Sequence, residues 1–251
     1  MLETWTPLVV TIVAICVFLY GASKTAMPVL GVLAGPILAA TLTPTTASAF
    51  VVPLLLVGDL FALGFYRQHA NWRLIFKLIP GVLLGIVLTA LMFEFLDPHT
   101  MGRIIGVLIM TSLILELWQH RQHASANTEE EMTNRGAMVF FGALAGMTTM
   151  GANAGGTAMT LYLLKMRTPM LAFMGTSAWF FFVVNLVKVP VVLGLGLIST
   201  SSLLSSLVFV PLIAIGALVG VYVFRRMNQK VFNNLALALS GVAALWLIVH
   251  G

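Results

Sequence analysis

Apolar runs follow one another almost without interruption along this chain, and they restrict its fold more than any other feature. They are Trp5 to Gly21, Pro28 to Leu42, Ala49 to Phe65, Leu74 to Leu96 and Met101 to Leu117, then Gly136 to Met147, Thr157 to Leu164, Met170 to Leu197, Leu203 to Phe224 and Val231 to Val249. Most are roughly 17 to 28 residues long and sit between polar breaks, enough to cross a hydrocarbon core about 30 Å thick. Of the 251 residues, 60% are hydrophobic and 8% charged, where a soluble domain carries about a quarter charged. One soluble core could not hide that much apolar surface, but lipid solvates it. Backbone polar groups in lipid must be satisfied internally, which favours helices. The chain therefore reads as an all-α integral membrane protein, multi-pass and in the cell (inner) membrane, with the bilayer as its first partner.

The net charge of +5 does not call for nucleic acid, because the basic residues sit in short loops. Cys16 is the single cysteine, so an internal disulfide and a multi-cysteine metal site are excluded. The stretch from Met1 to Gly21 lacks a basic leader and a small-residue cleavage site, and reads as a retained membrane segment.

Lysine and arginine mark the cytoplasmic side. The loops holding Arg67, Arg73 and Lys77, then Arg121 and Arg135, then Lys165 and Arg167, then Arg225, Arg226 and Lys230 are all assigned inside. The segment from Gly136 to Leu164 must then enter and leave on one face. Two arms of two or three turns around GANAGG, Gly151 to Gly156, would do so as a re-entrant hairpin. The alternative is one kinked helix with Lys165 and Arg167 outside.

The halves resemble each other. Pro80-x4-Gly85 recurs as Pro211-x4-Gly216, and the break at Gly21–Pro28 corresponds in order to Gly151–Gly156. Asp59 aligns with Asn185. The run holding Asp59 and the run holding Asn185 take opposite directions across the membrane. The expected organisation is two inverted repeats, 1–118 and 136–251, joined by a cytoplasmic loop at 119–135, with a site at mid-membrane.

Ionisable side chains in membrane segments are costly and point to function. Lys24 lies in the first break, Asp59 in the third run, and Lys188 one helical turn from Asn185. Lys24 and Lys188 would attract an anion, with helix-start amides near Ser23 to Ala26, including Thr25, and near Gly155, Gly156 and Thr157. Asp59 would carry a coupling proton or pair with one of the lysines. Asn153, Thr176, Ser177 and Asn185 add polar groups, although such residues often only join membrane helices. Glycines such as Gly142, Gly146, Gly216 and Gly220 read as close helix packing. His120 and His123 read as solvated, as do Glu129 to Glu131. There is no phosphate loop and no nucleophile–base set, so no enzyme and no cofactor is expected.

Four segments carry a family resemblance: GASKTAMPVLGVLAGPILA (Gly21 to Ala39), DLFALGFYRQHANWRLIFKLIPGVLLGIVL (Asp59 to Leu88), GALAGMTTMGANAGGTAMTLYLLKM (Gly142 to Met166) and FMGTSAWFFFVVNLVKVP (Phe173 to Pro190). Together they resemble the TauE/SafE sulfite-exporter-like permeases. The chain departs from the family pattern at Thr25-Ala26-Met27, often glycine-rich there, and at Gly156-Thr157, where proline is common. The resemblance implies movement of small anions such as sulfite, thiosulfate and organosulfonates. It also places Lys24, Asn153, Gly155, Gly156, Thr176, Asn185 and Lys188 on motif positions. The expected function is a permease working by gradient-driven alternating access. A carboxylate carrier or a non-transporting membrane subunit is the alternative, and a homo-oligomer stays open.

Overall fold

The computed structural model describes residues 5–42, 44–92, 100, 103–104, 106–111, 113–114, 135–152, 155–194 and 200–250. His120, His123 and Glu129 to Glu131 lie outside them. Among the described residues the secondary structure is helical: α1 Pro7–Thr25, α2 Leu30–Thr41, α3 Pro44–Tyr66 with a 3-10 turn Arg67–His69, α4 Trp72–Met92, α5 Arg135–Ala152, α6 Gly155–Lys165, α7 Met170–Gly194, α8 Thr200–Val208, α9 Val210–Arg225 and α10 Gln229–His250. The start of α1 is set by Thr6, whose hydroxyl accepts from the Val9 N–H, and by Pro7 in the first turn, where a missing N–H costs nothing.

Among the described residues, four segments are long and apolar enough to cross a membrane: Pro7–Thr25, Phe50–His69, Trp72–Thr89 and Met170–Val187. A fifth is counted if Ser202–Val208 and Val210–Arg225 are one span, bent by 47°. The sequence suggested one unbroken run from Leu203 to Phe224; the helix instead breaks at Phe209, immediately ahead of Pro211. Large apolar side chains such as Leu8, Phe76, Leu204 and Leu218 are exposed, a surface that lipid covers and water would not tolerate at this extent. The chain is an all-α integral membrane protein.

Two compact units make up the structure: residues 1–70 with 174–227, and 71–173 with 228–251. Each draws helices from both sequence halves. In the first unit, Val13, Tyr20, Phe50, Leu54, Phe209 and Ile213 form the core. There α1 lies directly on α9. A Cβ added to Gly21 would meet the carbonyl oxygen of Ile213, and one added to Gly216 the carbonyl oxygen of Phe18. The second unit packs α4 on α5 in the same manner, with Gly85 against the Ala143 carbonyl and Gly146 against that of Val82. Without a hydrophobic drive between helices in lipid, such small-residue seams let backbones approach and gain dispersion contacts. The matched motifs Pro80-x4-Gly85 and Pro211-x4-Gly216 thus carry the two equivalent seams, each against the first helix of the opposite half.

Both helix breaks turn the chain back on itself. A Cβ on Gly155 would lie 2.6 Å from Thr149 Oγ1 and 3.4 Å from the Ala145 carbonyl oxygen. In an unbroken helix Gly155 and Ala145 would be about 15 Å apart. Likewise, a Cβ on Gly31 would lie 2.8 Å from Ser23 Oγ and 3.4 Å from Tyr20 Cδ1. The arms of the second hairpin are unequal, at 18 and 11 residues, so the first is about five turns rather than two or three. The polar pair Thr148-Thr149 ends the apolar run but not the helix, because the Thr148 hydroxyl donates to the Leu144 carbonyl at 2.7 Å. After α6, Thr168 N–H bonds to Leu163 O at 3.1 Å and Arg167 N–H to Leu164 O at 2.9 Å. This is a Schellman cap, with Arg167 at φ 47° where glycine is usual.

Candidate functional site

Lys24 stands in the last turn of α1. The expectation of helix-start amides at Ser23 to Ala26 is therefore corrected: these residues close a helix, and its carbonyl end favours a cation. The next helix starts at Leu30, and its first amides are already used. Leu30 N–H donates to Met27 O at 3.1 Å, Gly31 to Pro28 O at 3.3 Å and Val32 to Val29 O at 3.1 Å.

The Lys24 stem runs over Gly58, where a Cβ would come 3.0 Å from Lys24 Cγ. Its ammonium then reaches Asp59. Lys24 Nζ lies 2.6 Å from Asp59 Oδ1, with the two side chains 10% and 0% exposed. The contact is an ion pair rather than an aligned hydrogen bond. The other oxygen, Oδ2, accepts from Asn185 Nδ2 at 2.7 Å. The Phe181 ring covers the ammonium at 5.0 Å from its centroid, a favourable position for a cation over a π face. Three helices thus converge: α1 brings the cation, α3 the carboxylate, and α7 the amide and the ring.

The helix end holding Lys24 is itself tied down. Thr25 Oγ1 donates to the Ala217 carbonyl at 2.6 Å, and Tyr66 OH donates to the Thr25 carbonyl at 2.8 Å. Ser23 Oγ donates to the Tyr20 carbonyl at 2.8 Å. The hydroxyls of Ser23 and Thr25 are spent on backbone, so these two residues anchor the break. Neither Tyr66 nor Phe181 stood out in the sequence, because an aromatic residue in a membrane run carries no mark of the contact it makes.

A family model described as "Sulfite exporter TauE/SafE" matches residues 13–247 of this chain. The chain belongs to the sulfite exporter TauE/SafE family. No curated protein and no solved structure matches it. As a TauE/SafE member it is a multi-pass membrane transporter, and the matched stretch takes in both helix breaks and the Lys24–Asp59–Asn185 cluster.

The remaining candidates of this TauE/SafE chain distribute as follows. Thr176 and Ser177 are buried on α7 in the same unit as Lys24. Ser177 Oγ has no hydrogen-bond partner among the described residues. Lys188 follows Asn185 by one turn of α7, and its side chain lies outside the described residues, as does Asn153. Gly155, Gly156 and Thr157 open α6 in the other unit and are buried.

Proposed function

We propose that this TauE/SafE protein carries a small oxyanion, sulfite or an organosulfonate foremost, across the cell membrane by gradient-driven alternating access. The supporting observation is the buried ammonium of Lys24, held at a helix break by a carboxylate that can be neutralised. Charge bookkeeping suggests the cycle. A closed Lys24–Asp59 pair presents no net charge, and adding an anion to it would leave a bare negative charge in a low-dielectric interior, which is strongly unfavourable. A proton arriving on Asp59 removes that obstacle and frees the ammonium for the anion. Proton and anion would then move together, with Asn185 holding the carboxyl group in place through both states.

Lysine is a compact point charge without the planar fork that selects one oxyanion geometry. That feature does not discriminate against a carboxylate, which is the second substrate reading. The test is uptake of radiolabelled sulfite, thiosulfate and sulfoacetate into proteoliposomes with wild type, Lys24→Ala and Lys188→Ala. Wild-type flux that disappears in Lys24→Ala, from folded protein, supports the anion site. Absence of flux for every sulfur anion, with flux for a carboxylate, would replace the substrate class.

A further inference from the structure

Threonines in membrane helices ordinarily return their hydroxyl to a carbonyl one turn back. Thr11, Thr41, Thr89, Thr111 and Thr148 all do so, at 2.7 to 2.9 Å. Thr157 and Thr160 do not. Both are 0% exposed, and neither hydroxyl oxygen has a hydrogen-bond partner among the described residues. Buried polar atoms without partners are rare in native proteins and point to an occupant or a strained function.

Their placement narrows the occupant. At i, i+3 the two threonines share one face of α6. Helical Cα–Cβ bonds tilt towards the N-terminus, so both side chains lean towards the helix start at Gly155 and Gly156. That end carries the positive pole of the helix dipole. Gly155 is pressed against α5, with a Cβ there falling 2.6 Å from Thr149 Oγ1, so the approach is backbone-close. Two hydroxyl donors beside a positive helix end suit an acceptor-only group carrying more than one oxygen. Hydroxyl oxygens could also accept a cation, but the positive helix end would repel it, and an apolar solute would leave both hydroxyls unanswered.

We infer that Thr157 and Thr160 form a hydrogen-bonding subsite for the oxygens of the transported oxyanion. This rests on the transport reading above and adds to it two hydroxyl contacts, one of them from Thr160, which the sequence did not single out. The hydroxyls donate to two oxygens of one anion, and no bond is made or broken.

Thr157→Val and Thr160→Val test it, because valine keeps the shape and removes the hydroxyl. Without anion, each variant should unfold in detergent at the wild-type temperature or above it, since no protein hydrogen bond is lost. Their KM for sulfite uptake should rise about tenfold, the lower end of what losing one hydrogen bond to a charged ligand brings. Thr157→Ser and Thr160→Ser should restore the wild-type KM. Valine variants with wild-type KM and a wild-type sulfite-dependent rise in unfolding temperature would overturn the subsite, leaving the hydroxyls to water or to packing. Valine variants that unfold early at unchanged KM would overturn it as well. Wild-type protein that neither transports nor is stabilised by sulfite, thiosulfate or sulfoacetate would remove the transport reading itself and this subsite with it.

Discussion

Asn185 Nδ2 donates to Asp59 Oδ2 at 2.7 Å, joining α7 to α3 inside the first compact unit. Two carboxylates would repel at this separation, whereas an amide donates to its neighbour.

Replacing Asn185 should therefore cost more than its size suggests. Asn185→Leu leaves a buried carboxylate oxygen short of a donor, a loss of about 2 kcal/mol for a hydrogen bond to a charged group. Asn185→Asp should be worse, because a second carboxylate is placed against the first. Thermal unfolding in detergent reads both, and wild-type stability in Asn185→Leu would show that the bond contributes little.

The ion pair makes a prediction of non-additivity. Lys24→Gln or Asp59→Asn alone breaks a buried ion pair, at about 3–5 kcal/mol each. The double variant removes both members and should lie within about 1–2 kcal/mol of wild type, because removing a whole buried pair is often close to neutral. Unfolding temperatures of the three proteins, measured side by side, give the coupling directly. Additive losses would mean that the two side chains do not depend on one another.

Helix seams should separate glycines by what they touch. Gly21→Ala drives a Cβ into the Ile213 carbonyl oxygen, and backbone on both sides cannot step aside. A loss of about 3 kcal/mol or failure to fold is expected. Gly64→Ala, with nothing within 4 Å of the new Cβ, should gain about 0.5–1 kcal/mol from helix propensity. Yield of monodisperse protein and its unfolding temperature distinguish them.

Arg167 holds a left-handed backbone at φ 47°, a conformation that costs a residue with a Cβ about 1–2 kcal/mol. Arg167→Gly should raise the unfolding temperature by a few degrees through that relief. A fall instead would assign the arginine side chain a stabilising contact larger than the strain.

Much of this architecture is legible in the residues, for reasons that differ by feature. Hydropathy identifies the membrane class because lipid admits few charges, and Gly142, Gly146, Gly216 and Gly220 mark seams because a Cβ there would meet backbone. Lys24 and Asp59 stand out singly, since each is costly in a membrane run. Their mutual contact is not legible, because it depends on how α1 and α3 meet. The same holds for Phe181 and Tyr66, whose roles come from neighbours distant in sequence. The end of α1 was misplaced for a local reason: the small and polar residues after Gly21 look like a break, yet Ala26 N–H still bonds to Ala22 O at 2.8 Å, and the helix persists to Thr25.

The most direct measurement is uptake of radiolabelled sulfite, with and without an imposed pH gradient, into proteoliposomes holding either wild type or the Lys24→Gln/Asp59→Asn double variant. The prediction is a wild type whose uptake saturates and responds to the gradient, and a folded double variant that does neither. Saturable, gradient-driven uptake by the double variant at the wild-type rate would contradict it and leave the Lys24–Asp59 pair as a structural clamp.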